Sequence, residues 1–110
     1  MSEFDFSVLC DKYPALFDLM PETFTAHQFI LKLAEENQTQ YVEALYAYRY
    51  NLHRGQPTPF LIVHGILAQH LLSYPGLIHQ IHKLVSSQDI FGNDSSCSEW
   101  RKVKKTQLER

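Results

Sequence analysis

Between Pro59 and Tyr74 the chain reads PFLIVHGILAQHLLSY, its longest apolar run, with no Asp, Glu, Lys or Arg in it. Phe60, Val63, Leu67, Leu71 and Tyr74 fall on one helical stripe, while Leu61, Ile62, Ile66, Ala68 and Leu72 cover much of the remaining surface. A helix that is apolar on almost every side is covered on more than one side, so the flanking elements are expected to pack around it. Thr58 is the candidate N-cap and Pro59 the first helical residue, and Tyr74-Pro75-Gly76 stops the helix. The run is too short, and with His64, Gln69 and His70 too polar, for a membrane span of about 20 apolar residues. No membrane partner is expected.

A chain of 110 residues that is 45% hydrophobic predicts one globular domain with a single core. The N-terminus carries Glu3 and Asp5 and lacks the basic region of a secretory signal, so the expected location is cytoplasmic. Cys10 and Cys97 are too few for a disulfide scaffold; two separate thiols in a reducing compartment are the favoured reading, and a bridge between them stays open. The net charge of −2 hides an asymmetry: residues 1–50 hold eight acids and three bases, residues 51–110 seven bases and four acids. A surface that meets a polyanion is therefore expected from the C-terminal half.

Along the chain, residues 3–20 read as an arm laid on the core, with Pro14 opening a short helix and Pro21 ending it. Thr25 and Gln28 have capping-box spacing, and Phe24 with Phe29 can form the accompanying hydrophobic staple. A helix should follow through Glu36, and a second from about Gln38 to Leu52, with Tyr41, Leu45, Tyr48 and Leu52 on one face. Tyr41, Tyr46, Tyr48 and Tyr50 are read as the core-facing and half-buried side of that helix rather than as a base-stacking platform. His53–Pro59 is a connector. Residues 77–86 fit either a short helix or a strand; context favours a strand over 80–86, with Gly92-Asn93-Asp94 as a bend and Cys97 to Lys104 returning beside it.

Three helices followed by a two-stranded hairpin is an order that resembles winged-helix domains. The resemblance covers about Thr25 to Lys105, with His53–Pro59 as the turn, Pro59–Tyr74 in the recognition-helix position and residues 80–104 as the wing. SerSerGlnAspIlePheGlyAsn together with Cys97–Trp100 is also similar to small uncharacterised bacterial proteins. The expected fold is thus α+β and mostly helical. A winged-helix-like core with its β-hairpin wing occupies 25–105, an N-terminal helical arm 1–24, and a frayed tail 106–110.

The resemblance implies a regulatory, DNA-associated module, in which a recognition helix reads base edges and the wing contacts phosphates. Pro59–Tyr74 contains no Arg, Lys or Asn, so base readout would fall to Gln69 alone. The basic residues are Arg54 in the turn, Lys83 on one wing strand, and Arg101, Lys102, Lys104 and Lys105 on or after the other. These six are the candidate phosphate contacts. The alternative keeps the fold and drops the DNA: Leu61, Ile62, Ile66 and Leu72 need cover, which a second copy or another protein would supply. Within one chain the arm, through Phe4, Phe6, Leu9, Leu16 and Phe17, would supply it instead.

Six histidines raise the question of a metal, but no Cys or carboxylate joins a His pair at ligand spacing, and no HExxH motif is present. The sequence also holds no nucleophile elbow, phosphate loop or paired-carboxylate motif. The expectation is a non-enzymatic protein without cofactor, metal or small-molecule substrate.

Overall fold

The computed structural model describes residues 4–49 and 59–103. The connector over 50–58, the residues after Val103 and the first three residues lie outside that description, and with them Arg54, Lys104, Lys105 and the tail 106–110. The fold is α+β. Two short helices, α1 (Ser7–Cys10) and α2 (Tyr13–Phe17), lead into β1 (Thr23–Thr25), then α3 (Ala26–Glu36), α4 (Gln38–Ala47) and α5 (Pro59–His70). A 3₁₀ turn (Leu71–Ser73) extends α5, and β2 (Ile78–Gln88) and β3 (Asp94–Lys102) close the chain. Among the described residues no helix is long and apolar enough to cross a membrane.

Local chemistry sets these boundaries. Pro14 sits in the first turn of α2, where a missing N–H costs nothing. At α3 the capping box forms in full, with the Gln28 N–H donating to Thr25 Oγ1 at 3.1 Å and the Thr25 N–H to Gln28 Oε1 at 2.9 Å. The Phe24 and Phe29 rings stand 6.0 Å apart, completing the staple. The second helix stops at Ala47, with Tyr48 and Arg49 in a turn, and Tyr50 and Leu52 of the expected helix lie outside the described residues. The strand reading of 80–86 is also extended in both directions, to Ile78 and Gln88.

The three strands form an antiparallel sheet in the order β1-β3-β2. The short β1 was not visible in the sequence, because Thr23–Thr25 is too brief to show a period of two. It pairs Phe24 with Trp100, and the hairpin pairs Trp100 with Gln80 and Ile78 with Lys102. Two register shifts, between Gln80 and His82 and between His82 and Val85, interrupt the β2–β3 ladder. Such bulges re-aim the side chains beyond them, which is why β2 showed no clean alternation. At the hairpin end Asp89 accepts from the N–H groups of Phe91 and Asn93 at 2.9 and 3.0 Å, and Gly92 takes the positive φ of 85° that the bend requires.

Leu9, Tyr13, Phe17, Phe24, Phe29, Leu33, Val63, Leu67, Ile78 and Trp100 are all buried in one cluster, so arm, helices and sheet share a single core. Two tyrosines bind the arm to α5 reciprocally. Tyr13 in α2 donates to the Leu67 carbonyl at 2.7 Å, and Tyr74 after α5 donates to the Cys10 carbonyl at 3.0 Å, their rings stacked 5.6 Å apart. Since the Tyr74 hydroxyl spends its proton on Cys10, His70 Nε2, 3.1 Å away, is the donor to Tyr74.

Candidate functional site

The helix that dominates the sequence buries only part of its apolar surface. Val63, Leu67 and Leu71 point inward and are fully buried. The opposite side keeps Leu61 61% exposed and Leu72 53% exposed, with Gly65 and Gln69 exposed between them and Ile62 and Ile66 half-buried beside them. Leu61, Gly65, Gln69 and Leu72 follow one another at helical spacing and form a ridge. All four residues expected at an interaction face therefore stand together on the open side of α5.

The ridge divides two grooves. One, of about 820 Å³, has Phe6 and Cys10 of the arm as its far wall and Ile62, Ile66 and Ser73 as its floor. The other, of about 380 Å³, runs between α5 and the hairpin, with Ala68, Leu84, Cys97 and Trp100 among its lining. Leu84 is 71% exposed at its rim. The arm covers this side of α5 only in part: Leu9, Leu16 and Phe17 are drawn into the core, leaving Phe6 to reach the groove.

The three described basic residues of the candidate set, Lys83, Arg101 and Lys102, do not share one face. Arg101 and Lys102 are neighbours in β3, so their side chains leave the sheet on opposite faces. Lys102, opposite buried Ile78, faces the helices, and its Nζ donates to the Phe17 carbonyl at 3.0 Å. Arg101 is exposed on the other face, opposite His79, and Lys83 is exposed beside the hairpin groove. On the same outer face as Arg101, His82 Nδ1 meets Glu99 Oε1 at 2.7 Å. Arg54, Lys104 and Lys105 lie outside the described residues.

A third cluster sits where the hairpin end meets α5. His64 Nε2 and the Tyr41 hydroxyl are 2.6 Å apart, and the His64 ring lies between those of Tyr41 and Phe91, while Phe91 meets Phe60 edge-on at 4.8 Å. Burial holds the His64 imidazole below its ordinary pKa, with His27 adding to the effect and Asp89 opposing it. Burial also pushes the Tyr41 phenol up to about 12. The Cys10 thiol is raised by burial and by Asp11 and Asp5, which disfavours the nucleophilic thiolate. Cys10 and Cys97 are both free. Among the described residues no three His, Cys, Asp or Glu side chains are placed to hold a metal ion.

Sequence reasoning did not single out two residues of the ridge and the groove rim, Gly65 and Leu84. Gly65 was legible as a glycine inside a helical pattern, a costly choice that asks for a reason. Leu84 was hidden by the bulges of β2. Set against family models, curated proteins and solved structures, the chain matches none.

Proposed function

We propose that this chain is a non-enzymatic, winged-helix-like module that works by docking a protein on the open side of α5. The observation that carries this is the ridge of Leu61, Gly65, Gln69 and Leu72, an uncharged helix face with apolar residues at the surface and a groove along each side. The order of arm helices, β1, further helices and a β2–β3 hairpin, with β3 in the middle of the sheet, supports the winged-helix assignment. In that arrangement α5 immediately precedes the hairpin and would take the recognition position. A helix that offers leucine and isoleucine there is suited to an apolar partner surface, because base edges are read by Arg, Lys, Asn and Gln.

The test places a photo-cross-linking amino acid at Leu72, with Tyr46, exposed on α4, as the control position, in cells that make the protein. A discrete protein adduct is expected from position 72 and not from 46, and Ile66→Glu should abolish it. If position 72 yields no adduct, the reading fails.

A second reading is favoured by Lys83 and Arg101, both exposed on the hairpin. It lays the phosphate backbone of a nucleic acid along β2 and β3. Anisotropy of a labelled duplex titrated at several salt concentrations tests it: phosphate contacts require binding that weakens steeply with salt. No binding at low salt removes it.

A further inference from the structure

His64 sits on α5, with Phe60 one turn before it and its ring between those of Tyr41 on α4 and Phe91 at the hairpin end. Phe91 also meets Phe60 edge-on at 4.8 Å, so two ring contacts hold the hairpin end to α5. The bend behind Phe91 is tied to itself. The Asp89 carboxylate accepts from the N–H groups of Phe91 and Asn93, and the Gly92 N–H donates to the Asp89 carbonyl at 2.9 Å. Ser87, 3.5 Å from Thr25 Oγ1, and Ile90, half-buried against the core, hold the same end further back. Whether Phe91 stays on α5 is therefore a local matter, decided at His64.

We propose that neutral His64 latches Phe91 of the hairpin end to α5 and α4, and that protonation of the imidazole releases it. The bond to Tyr41 shows how the two states differ. The phenol keeps its proton, so across 2.6 Å it donates and Nε2 accepts. A proton on Nε2 reverses the bond, and the buried phenol loses the acceptor for its own proton. The new charge is poorly received by the surrounding elements. Phe60 is apolar, and His27 of α3 and Lys83 of β2, which line a groove with His64, are basic. Asp89 at the hairpin end favours a charge on His64, but its carboxylate is engaged by the N–H groups of the bend. The ring faces of Tyr41 and Phe91 attract a cation, yet at 5.8 and 6.3 Å between centroids they stand at the limit of that attraction. Burial prevails over these gains and keeps the imidazole neutral at ordinary pH.

The consequence reaches the hairpin groove, which His64 and Lys83 both line. The proton that releases Phe91 turns the α5 wall of that groove from neutral to cationic. The latch acts whatever occupies the groove, so it stands independently of the docking reading.

The experiment is nuclear magnetic resonance of the full chain, labelled at histidine and phenylalanine and titrated from about pH 8 to about pH 5, across the histidine range. At the alkaline end the Phe60–Phe91 ring contact should be present. It should fade at the midpoint where the His64 Cε1 proton titrates, below the ordinary value of about 6.5. His64→Gln, which can still accept from Tyr41, should keep the contact to the acid end. His27→Gln removes a charge that opposes protonation, so the His64 midpoint should rise and the loss of the contact should rise with it. A ring contact that outlasts His64 protonation overturns the latch, as does one that fades in His64→Gln as it does in the wild type. An imidazole that stays neutral to the acid end overturns it as well. Should His64→Gln lack the contact from the start, His27→Gln decides: a contact that does not follow the imidazole to its new midpoint overturns the latch.

Discussion

Replacing Tyr13 with phenylalanine removes one oxygen atom from the centre of the molecule, and the consequence can be worked through from the structure. Tyr13 is fully buried, with its ring against Phe29, Phe17, His70 and Tyr74, and all of those ring contacts survive in phenylalanine. What is lost is the 2.7 Å hydrogen bond to the Leu67 carbonyl, the direct tie between α2 and the buried side of α5. Burial raises the phenol far above its ordinary pKa, so it is a donor at every pH at which the protein is handled. An intramolecular hydrogen bond nets about 1 kcal/mol. With an unfolding entropy of about 2.1 cal/mol/K per residue, that is a fall in Tm of about 4 °C. Tyr13→Ala, which empties the ring's volume as well, should cost about 4 kcal/mol. The assay is urea and thermal unfolding by circular dichroism, with hydrogen exchange across Ser7–Phe17. Tyr13→Phe should keep the m-value and speed exchange in the arm, while Tyr46→Phe, at a position 62% exposed, should change stability by less than about 0.5 kcal/mol. A Tyr13→Phe protein with the wild-type Tm would refute the reasoning. It would mean the arm is not held to α5 through this oxygen, and the Phe6 wall of the larger groove would lose its anchor.

The capping box makes Thr25→Ala cost about 1 kcal/mol in urea unfolding, because the Gln28 N–H loses its acceptor at the start of α3. The depressed pKa of His64 gives a pH dependence of definite sign. The unfolded chain takes up a proton near pH 6.5 while the folded one resists it, so this contribution to stability is full above that pH and is lost as pH falls through the folded pKa. Thermal melts from pH 8 to pH 5 should show a decline that His64→Gln flattens; a wild-type decline unchanged in the variant would place its origin elsewhere. Lys102→Ala should lower stability by about 1 kcal/mol through loss of the bond to Phe17, while Arg101→Ala leaves it within about 0.5 kcal/mol. Equal effects at the two positions would contradict the opposite-face assignment.

Local signals were readable wherever the physics is local. The Thr25–Gln28 capping box, the Phe24–Phe29 staple, Pro14 in a first helical turn and the glycine bend at 92 depend on a few neighbouring residues, and each formed as its spacing predicted. The apolar excess of α5 was legible too, since a helix apolar on two sides must show one of them to solvent. The opposite placement of Arg101 and Lys102 was not. Arg101 and Lys102 read as one basic run, but the pleat of β3 sends one to solvent and the other to a carbonyl of the arm.

The sequence settled the starts of α2, α3 and α5, the bend at Gly92 and the excess of apolar surface on Pro59–Tyr74, while it left 77–86 open between helix and strand. Helix periodicity, capping and turn geometry are settled within a dozen residues. The tertiary structure decided which side of α5 stays open, the pairing of β1 with β3 across some 75 residues of chain, the register shifts on either side of His82 in β2, and the bond from Lys102 to the Phe17 carbonyl of α2. These depend on which surfaces distant segments bring together. One apolar stripe looks like another until the arm has bound Leu67 and the sheet has taken Trp100, and only then is the remaining side of the helix defined.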